Sequence, residues 1–204
     1  MRQPRIRLIC PVSLDQSTLR AAASGLKHFE RAGVLCESVK VSEEVIKGVK
    51  AGPFLLRAVD NTKGIRVTET NFKITLGELL SLHRKDIFGI GITNAPLVQL
   101  VNDVDERRVG VSMFNRGALV SLARINIELS GEERENAIKI AIAHEIGHIF
   151  RKSSEEHCKT TNCTMQGVDN FTDFVRRLVK PASEFCNSCS EAINVTISSL
   201  MHYA

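Results

Sequence analysis

The sequence predicts an α+β fold, with a mixed, mostly parallel twisted sheet, one long apolar helix and a small C-terminal subregion. Three observations support this prediction. Short apolar, β-rich runs and amphipathic helical patterns follow one another through the first half of the chain. A single long helical pattern then occupies Glu132–Arg151, and beyond Lys152 the sequence becomes polar and rich in cysteine. Strands separated by helices favour parallel pairing, because a parallel connection needs a crossover.

The first three elements form a strand–helix–strand unit. Ile6–Val12 and Val34–Val41 are strand-like runs on either side of a helical pattern at Asp15–Arg31. Apolar residues recur in that helix at intervals of three and four, and Ser13 or Asp15 can cap its first turn.

The next stretch is rich in turns, and its elements are short. Phe54–Val59 and Ile65–Thr68 are strand-like, and Leu76–Arg84 has the spacing of a short amphipathic helix. Ile87–Thr93 (IFGIGIT) is apolar throughout, as expected of the central strand of a sheet that is covered on both faces.

A hairpin and the long helix come next. Val109–Phe114 and Ala118–Ile125 flank the loop Asn115–Gly117, whose glycine suits a turn between two strands. Glu132–Arg151 follows Ser130, a suitable N-cap, and begins with two glutamates that favour the positive end of a helix. Shorter helices are predicted at Phe171–Val179 and Ser190–Met201.

Length and composition predict one domain over residues 1–204, with the sheet and long helix in 1–152 and the cysteine-bearing subregion in 153–204. The net charge of +4 is mild, so nucleic-acid binding is not expected. The N-terminus lacks the apolar core of a signal peptide, and no apolar run is long enough to cross a membrane. We therefore expect a cytoplasmic protein that does not bind a membrane. The sequence does not predict an oligomeric state.

Residues 144–148 read HEIGH, a pattern that is typical of a zinc-binding helix. His144 and His148 are four residues apart, so both imidazoles project from one helix face and can bind the same Zn²⁺. Glu145, next to the first histidine, is placed to polarise a metal-bound water and accept its proton. The alternative is a structural histidine pair in a core helix, which the long apolar helix before the motif makes less favourable.

A catalytic zinc generally has three protein ligands and one open position. The candidates for the third ligand are His157, Glu155, Glu156 and the more distant Glu184. His157 is the strongest on chemical grounds, because a third neutral imidazole completes a site that lowers the pKa of a bound water. The chain must then turn after His148 to bring the third ligand back.

Four of the six cysteines form a C-x4-C and a C-x2-C pair: Cys158, Cys163, Cys186 and Cys189. Such pairs are typical of a structural zinc bound by four thiolates, and a reducing cytoplasm makes two disulfides the weaker alternative. Cys10 and Cys36 lie in apolar runs and are expected in the core. His28, His83 and His202 have no neighbours that suggest a ligand role.

The whole pattern resembles the archaemetzincins, zinc metallopeptidases of the metzincin clan, whose signature is HExxHxxGxxHC followed by x4-C-x-M and CxxC. The chain matches HC-x4-C-x-M completely, from His157 to Met165. It departs from the signature in two places, because three residues are inserted before His157 and the turn glycine is missing. Upstream, FGIGIT and the hairpin ending in LVSLARI are similar to the strands that precede the active-site helix in that family.

The resemblance implies a metzincin-like fold and a role for each matched residue. His144, His148 and His157 would bind a catalytic zinc, Glu145 would be the general base, and Met165 would form the methionine turn beneath the metal. The four cysteines would hold a second, structural zinc, which gives two Zn²⁺ per chain. Glu155 or Glu156 could take the place of His157 if the loop cannot bring it round.

These observations predict a zinc metallopeptidase that acts on a peptide or protein substrate, which could pair with the strand Val109–Phe114. The alternative is a non-catalytic zinc protein whose cysteine unit serves protein or nucleic-acid interaction. The basic residues Arg176, Arg177 and Lys180 give that alternative slight support, whereas Glu145 argues against it, because a structural site needs no base.

Overall fold

A computed structural model describes residues 3–11, 14–41, 65–67, 87–94, 97–101, 104–113, 117–151 and 157–203. Three elements of the sequence analysis lie outside these ranges: the strand Phe54–Val59, the helix Leu76–Arg84 and the loop 152–156. Glu155 and Glu156, two candidates for the third metal ligand, are in that loop, and His83 is also outside the described residues.

The described strands are Arg5–Pro11 (β1), Leu35–Val41 (β2), Ile65–Val67 (β3), Ile87–Thr93 (β4), Leu97–Val101 (β5), Val104–Arg108 (β6), Gly110–Met113 (β7) and Gly117–Ser121 (β8). The described helices are Gln16–Arg31 (α1), Ala123–Glu128 (α2), Gly131–Phe150 (α3), Phe171–Phe174 (α4), which continues as a π-helical turn over Val175–Val179, and Asn187–Tyr203 (α5).

The main sheet has the strand order β2-β1-β4-β8-β7. The first four strands are parallel, and β7 is antiparallel to β8 at the edge. Every residue of the central strand β4 is buried, which explains why its sequence is apolar throughout. The prediction of a mixed, mostly parallel sheet in an α+β fold is confirmed.

The hairpin was predicted in the correct place, but one of its boundaries was wrong. β7 and β8 pair antiparallel, with Met113 opposite Gly117. The predicted strand Ala118–Ile125, however, ends at Ser121, and helix α2 begins at Ala123. The Ser121 hydroxyl accepts a hydrogen bond from the Ala123 backbone N–H (3.3 Å), which satisfies a donor at the start of the helix.

A second sheet of three strands, in the order β3-β5-β6, was not predicted as a whole. β3 was predicted, and it pairs parallel to β5, which pairs antiparallel to β6. Four of the five residues of β6 (VDERR) are charged, and Val104 is its only β-branched residue, so the run has little of the composition that marks a strand in a sequence.

Helices α1 and α3 pack against each other beside the main sheet. Asp15 caps α1 by accepting a hydrogen bond from the Thr18 N–H (2.7 Å), and Arg134 of α3 donates one to the Thr18 hydroxyl (2.6 Å). A Cβ added at Gly25 would lie 2.7 Å from the Lys139 carbonyl oxygen, so glycine is required for this close approach. Ser130 occupies the N-cap position of α3, but its side chain makes no capping hydrogen bond.

The C-terminal segment 157–203 contains both predicted short helices. Phe171–Phe174 and the π-helical turn together span the predicted Phe171–Val179, and α5 extends the predicted Ser190–Met201 at both ends. Among the helices in the described ranges, none combines the length and the hydropathy that crossing a bilayer requires.

Candidate metal centre

Helix α3 places the two histidines and the glutamate of HEIGH at its C-terminal end. Twelve of its twenty residues are buried, including Glu145 and His148, so its last turns are embedded in the core. The helix ends at Phe150, and Arg151 is already extended (φ −87°, ψ 120°). The chain therefore leaves the helix directly after the motif, as a third ligand from a later segment requires.

Three imidazoles converge at this helix end. The potential ligand atoms of His144, His148 and His157 all lie within 4.8 Å of one another. The rings of His144 and His157 are stacked at a centroid distance of 5.4 Å, and His148 meets both edge-on. Glu184, the other described candidate for the third ligand, does not belong to this group.

The spacing of the nitrogens fits zinc. Two nitrogens that each lie about 2.0–2.1 Å from one tetrahedral Zn²⁺ are roughly 3.3 Å apart. The Nε2 atoms of His144 and His148 are 3.1 Å apart. The two nitrogens are therefore close enough together to bind the same Zn²⁺.

Thr164 orients the first of these histidines. Its backbone carbonyl lies 2.6 Å from His144 Nδ1, and because a carbonyl can only accept, Nδ1 carries the proton and Nε2 presents its lone pair. Burial, together with the nearby His157, lowers the pKa of His144 to about 4, although the bond to Thr164 opposes the shift. The imidazole is therefore neutral at pH 7, as a metal ligand must be.

Glu145 lies on the same helix turn but packs against the sheet edge. Its side chain is only 8% exposed. A Cβ added at Gly110, the first residue of β7, would lie 2.6 Å from Glu145 Oε1 and 2.5 Å from Cγ. The absence of a side chain at Gly110 thus gives the carboxylate its room beside the edge strand.

Met165 is fully buried beneath the helix. Its sulfur contacts Gly147 so closely that a Cβ at Gly147 would overlap it. The Met165 carbonyl accepts a hydrogen bond from the Cys158 N–H (2.7 Å), which ties it to the residue after His157. Gly147 of the HEIGH motif and Met165 therefore pack directly against each other.

The four cysteines form a second group. The Sγ atoms of Cys158, Cys163, Cys186 and Cys189 all lie within 4.8 Å of one another, and none forms a disulfide. Two thiolates at about 2.3 Å from one tetrahedral zinc are roughly 3.8 Å apart, and the sulfurs of Cys158 and Cys186 are 3.7 Å apart. The donor set and its spacing fit a closed tetrahedral zinc site.

The cysteines differ in how readily they lose a proton. Burial opposes ionisation of Cys186, but hydrogen bonds led by that of Ser188 lower the pKa of its thiol to about 6. Burial instead raises the pKa values of Cys163 and Cys189. Of these three thiols, Cys186 therefore ionises most readily, and a bound cation would favour ionisation of the buried pair.

The remaining candidates fall outside both groups. Cys10 of β1 is buried and Cys36 of β2 is half-buried, and neither forms a disulfide. His28 packs on Phe185 with a ring-centroid distance of 4.5 Å, and His202 is exposed near the end of α5. Sequence reasoning did not identify Thr164, Gly110 or Gly147. The two glycines are visible in the sequence, but their contacts are made across the fold, and a backbone carbonyl leaves no sequence signal.

Comparison with known proteins places this centre in a family. Residues 68–195, more than half of the chain, match the family model "Peptidase family M54". No curated protein sequence matches the chain significantly.

Two solved structures share the fold at low sequence identity. One is an archaemetzincin (AmzA) from Archaeoglobus fulgidus complexed with malonate, with a TM-score of 0.57 and 18% identity over 92% of this chain and 99% of that one. The other is a zinc-dependent peptidase from Methanocorpusculum labreanum, with a TM-score of 0.57 and 13% identity over 93% of this chain and 99% of that one. With the family match, the chain belongs to peptidase family M54 and is a zinc metallopeptidase.

Proposed function

We propose that this metallopeptidase hydrolyses peptide bonds with Glu145 as the general base, at a zinc held by His144, His148 and His157. The observation that carries the proposal is the convergence of these three imidazoles within 4.8 Å at the end of the helix that also bears Glu145. The neutral state of His144 and the Nε2 spacing of 3.1 Å both suit a zinc ligand set.

A zinc held by these three histidines would supply Lewis-acid chemistry, lowering the pKa of a water and polarising the substrate carbonyl. Glu145 accepts the proton that the attacking water loses. The same carboxyl then delivers the proton to the leaving amine, so one residue serves as base and acid in turn. Gly110 leaves space for this carboxylate beside β7, and Thr164 keeps His144 in the ligand tautomer.

The proposed substrate site is the edge strand β7, which lies within the predicted Val109–Phe114. β7 is the last strand of the main sheet and begins beside Glu145. An extended peptide that adds to this edge by backbone hydrogen bonds would run past the proposed base. Recognition through backbone groups suits a peptide substrate of varied sequence.

We propose a second, structural zinc in the cysteine group, and hence two Zn²⁺ per chain. The donor set is closed, since four sulfurs leave no position for a water. Such a site needs reduced cysteines, which favours the reducing cytoplasm as the location. Cys158 directly follows His157, so the second zinc would hold the segment that supplies the third histidine.

The experiment that tests the mechanism is the Glu145→Ala variant, assayed for hydrolysis of a mixed peptide library and for zinc content. We expect two zinc per chain in both proteins and loss of hydrolysis in the variant, by a factor on the order of 10³ or more. Glu135→Ala is the matched control, because Glu135 is an exposed glutamate on the same helix.

Hydrolysis that persists in Glu145→Ala would exclude Glu145 as the base. A wild-type protein that binds zinc but cleaves no peptide would contradict the proposed reaction. One zinc per chain in a protein whose hydrolysis depends on Glu145 would contradict only the structural site.

A further inference from the structure

A cavity lies between α1, α3 and the segment that leads into α5, apart from the histidine group. Its volume is about 280 Å³, close to the lower limit of about 300 Å³ for small-molecule sites. None of the proposed metal ligands lines it, and neither does Glu145. Its function is therefore not explained by the peptidase centre.

Positive charge dominates the lining of this cavity. Lys27 and Arg31 reach it from α1, and Lys139 reaches it from α3, whereas Glu184 is the one acidic residue among the lining residues. Within the described part of the chain, the three cations make no ion pair and no hydrogen bond. Among the lining residues, three cations and one carboxylate give a net charge of +2.

This grouping is unfavourable for the protein alone. Lys27 and Arg31 are four residues apart on one helix, a spacing at which like charges repel. The fold then adds Lys139 from another helix, at the place where Gly25 brings the two backbones into contact. An anion in the cavity would relieve the repulsion. Its attraction should be strongest to Lys139, which is half-buried, because Lys27 and Arg31 are exposed and their charges are screened by solvent.

The other lining residues limit the kind of anion. Ile140, Ala143 and Phe185 provide an apolar surface, and Ser24 and Ser190 add hydroxyl groups. His28 also lines the cavity, and its Nε2 is buried without a hydrogen-bond partner. A ligand with one doubly charged end and a small apolar body matches this combination.

We propose that the cavity formed by Lys27, Arg31, Lys139 and Phe185 binds a small organic phosphate, that is, a phosphate monoester with a compact apolar group. A phosphate monoester carries a charge of about −1.5 to −2 at pH 7, which complements the two excess positive charges. The proposal does not rest on the peptidase mechanism, since none of the proposed metal ligands lines the cavity and neither does Glu145. The two sites share one residue, Thr164, which lines the cavity and whose carbonyl orients His144.

Phenyl phosphate is a suitable probe, because it has a dianionic end and a single apolar ring. Its binding to the zinc-loaded full chain is measured by isothermal titration calorimetry at constant ionic strength. We expect saturable binding of one molecule per chain. Lys27→Met and Lys139→Met each keep most of the apolar stem but remove the charge, and each should weaken binding about tenfold, the value of one charge-assisted hydrogen bond.

Two further variants make the test specific. Glu184→Gln removes the only acidic lining residue and should tighten binding severalfold, a gain that misfolding cannot imitate. Arg20→Met is the matched control, because Arg20 is an exposed cation on α1 outside the cavity, and it should change the affinity by less than about twofold.

Three results would overturn the proposal. The first is the absence of saturable binding. The second is an equal loss of phenyl phosphate affinity in Arg20→Met and Lys27→Met, which would indicate attraction by the overall positive charge of the protein and not by the cavity. The third is binding that survives both lysine variants unchanged, which would place the anion elsewhere, including at the metal centre. Because none of these measurements depends on hydrolysis, they leave the peptidase proposal untouched.

Discussion

The histidine group and the cysteine group differ in what holds their side chains in place. His144 and His148 project from α3, whose last three turns are buried and pack against the sheet. The cysteines lie in turns and at the start of α5. Two isolated β-bridges, Cys158 to Gln166 and Cys163 to Glu184, connect these turns, and among the described residues they are the only β-pairing outside the named strands. The two helical histidines are held by a helix packed in the core, whereas three of the four cysteines lie in turns and only Cys189 lies in a helix.

This difference suggests that the two groups have different roles, one in catalysis and the other in stabilising the local fold. A site on a buried helix can lose its metal and keep its framework, because the core holds the helix. The small cluster of Cys163, Met165 and Cys189 has few apolar neighbours, so the proposed zinc would be a main source of its stability. A zinc bound there would therefore stabilise the segment that carries His157 and Met165 to the histidine group.

The largest expected effect is that of Cys189→Ser, which removes a buried thiolate from the cysteine group. We expect loss of the proposed structural zinc and local unfolding around residues 157–166, whereas α4 and α5 should stay packed on the main core. Peptide hydrolysis should be lost as well, because His157 would no longer be positioned. Zinc content, circular dichroism and activity measure these three outcomes. Cys36→Ser is the control, since Cys36 is also a free thiol but lies in β2. A folded, active Cys189→Ser protein with one zinc fewer would show that the histidine group does not depend on the cysteines.

A smaller effect is expected when only the geometry of the histidine side is changed, as in Gly110→Ala. The new Cβ would displace the Glu145 carboxylate, so kcat should fall about tenfold or more, while zinc content and KM change little. Gly91→Ala is a matched control: it also places a Cβ within 2.9 Å of a side chain, but the contact is with Leu119 in the sheet. It should lower the melting temperature and leave kcat unchanged.

The double variant Gly110→Ala/Glu145→Ala sharpens this test, because truncation of Glu145 at Cβ removes the Cγ, Cδ and Oε1 atoms that the new Cβ would meet. The loss of unfolding free energy caused by Gly110→Ala should therefore be smaller in a protein that already carries Glu145→Ala than in the wild type. If the two effects simply add, Gly110 does not act through Glu145.

The smallest effect concerns the contact between the two parts of the chain, where His28 of α1 packs on Phe185. Burial, aided by Arg31, lowers the pKa of His28 below its ordinary 6.5. Below pH 6.5 the unfolded chain therefore binds a proton that the folded chain does not, so the stability should fall as the pH drops through this value. His28→Phe removes the titrating group, and the decline in melting temperature between about pH 7.5 and 5.5 should become shallower. An unchanged decline would exclude His28 as a contributor.

Much of the main sheet and its helices could be predicted, because the sequence patterns that specify them are local. The apolar run of β4, the three-and-four spacing of α1 and the long pattern of α3 each specify an element without reference to the rest of the chain. The errors have two sources. The apolar run Ala118–Ile125 continues through the end of β8 at Ser121 and into helix α2, so hydrophobicity alone does not mark the change, although the Ser121 hydroxyl accepts a local hydrogen bond from the Ala123 N–H. The charged strand β6 forms by pairing with β5 and has no strand pattern in the sequence.

The sequence by itself determined the chemistry of the two ligand sets, because the identity and spacing of His144, Glu145, His148 and the cysteine pairs depend only on residue type and order. Only the tertiary structure decided which groups meet. It brings His157 to the helix pair, turns the Thr164 carbonyl toward His144, and puts Gly110 beside Glu145. The physical reason is that ligand chemistry belongs to single side chains, whereas convergence depends on how turns and packed elements fold the chain back on itself.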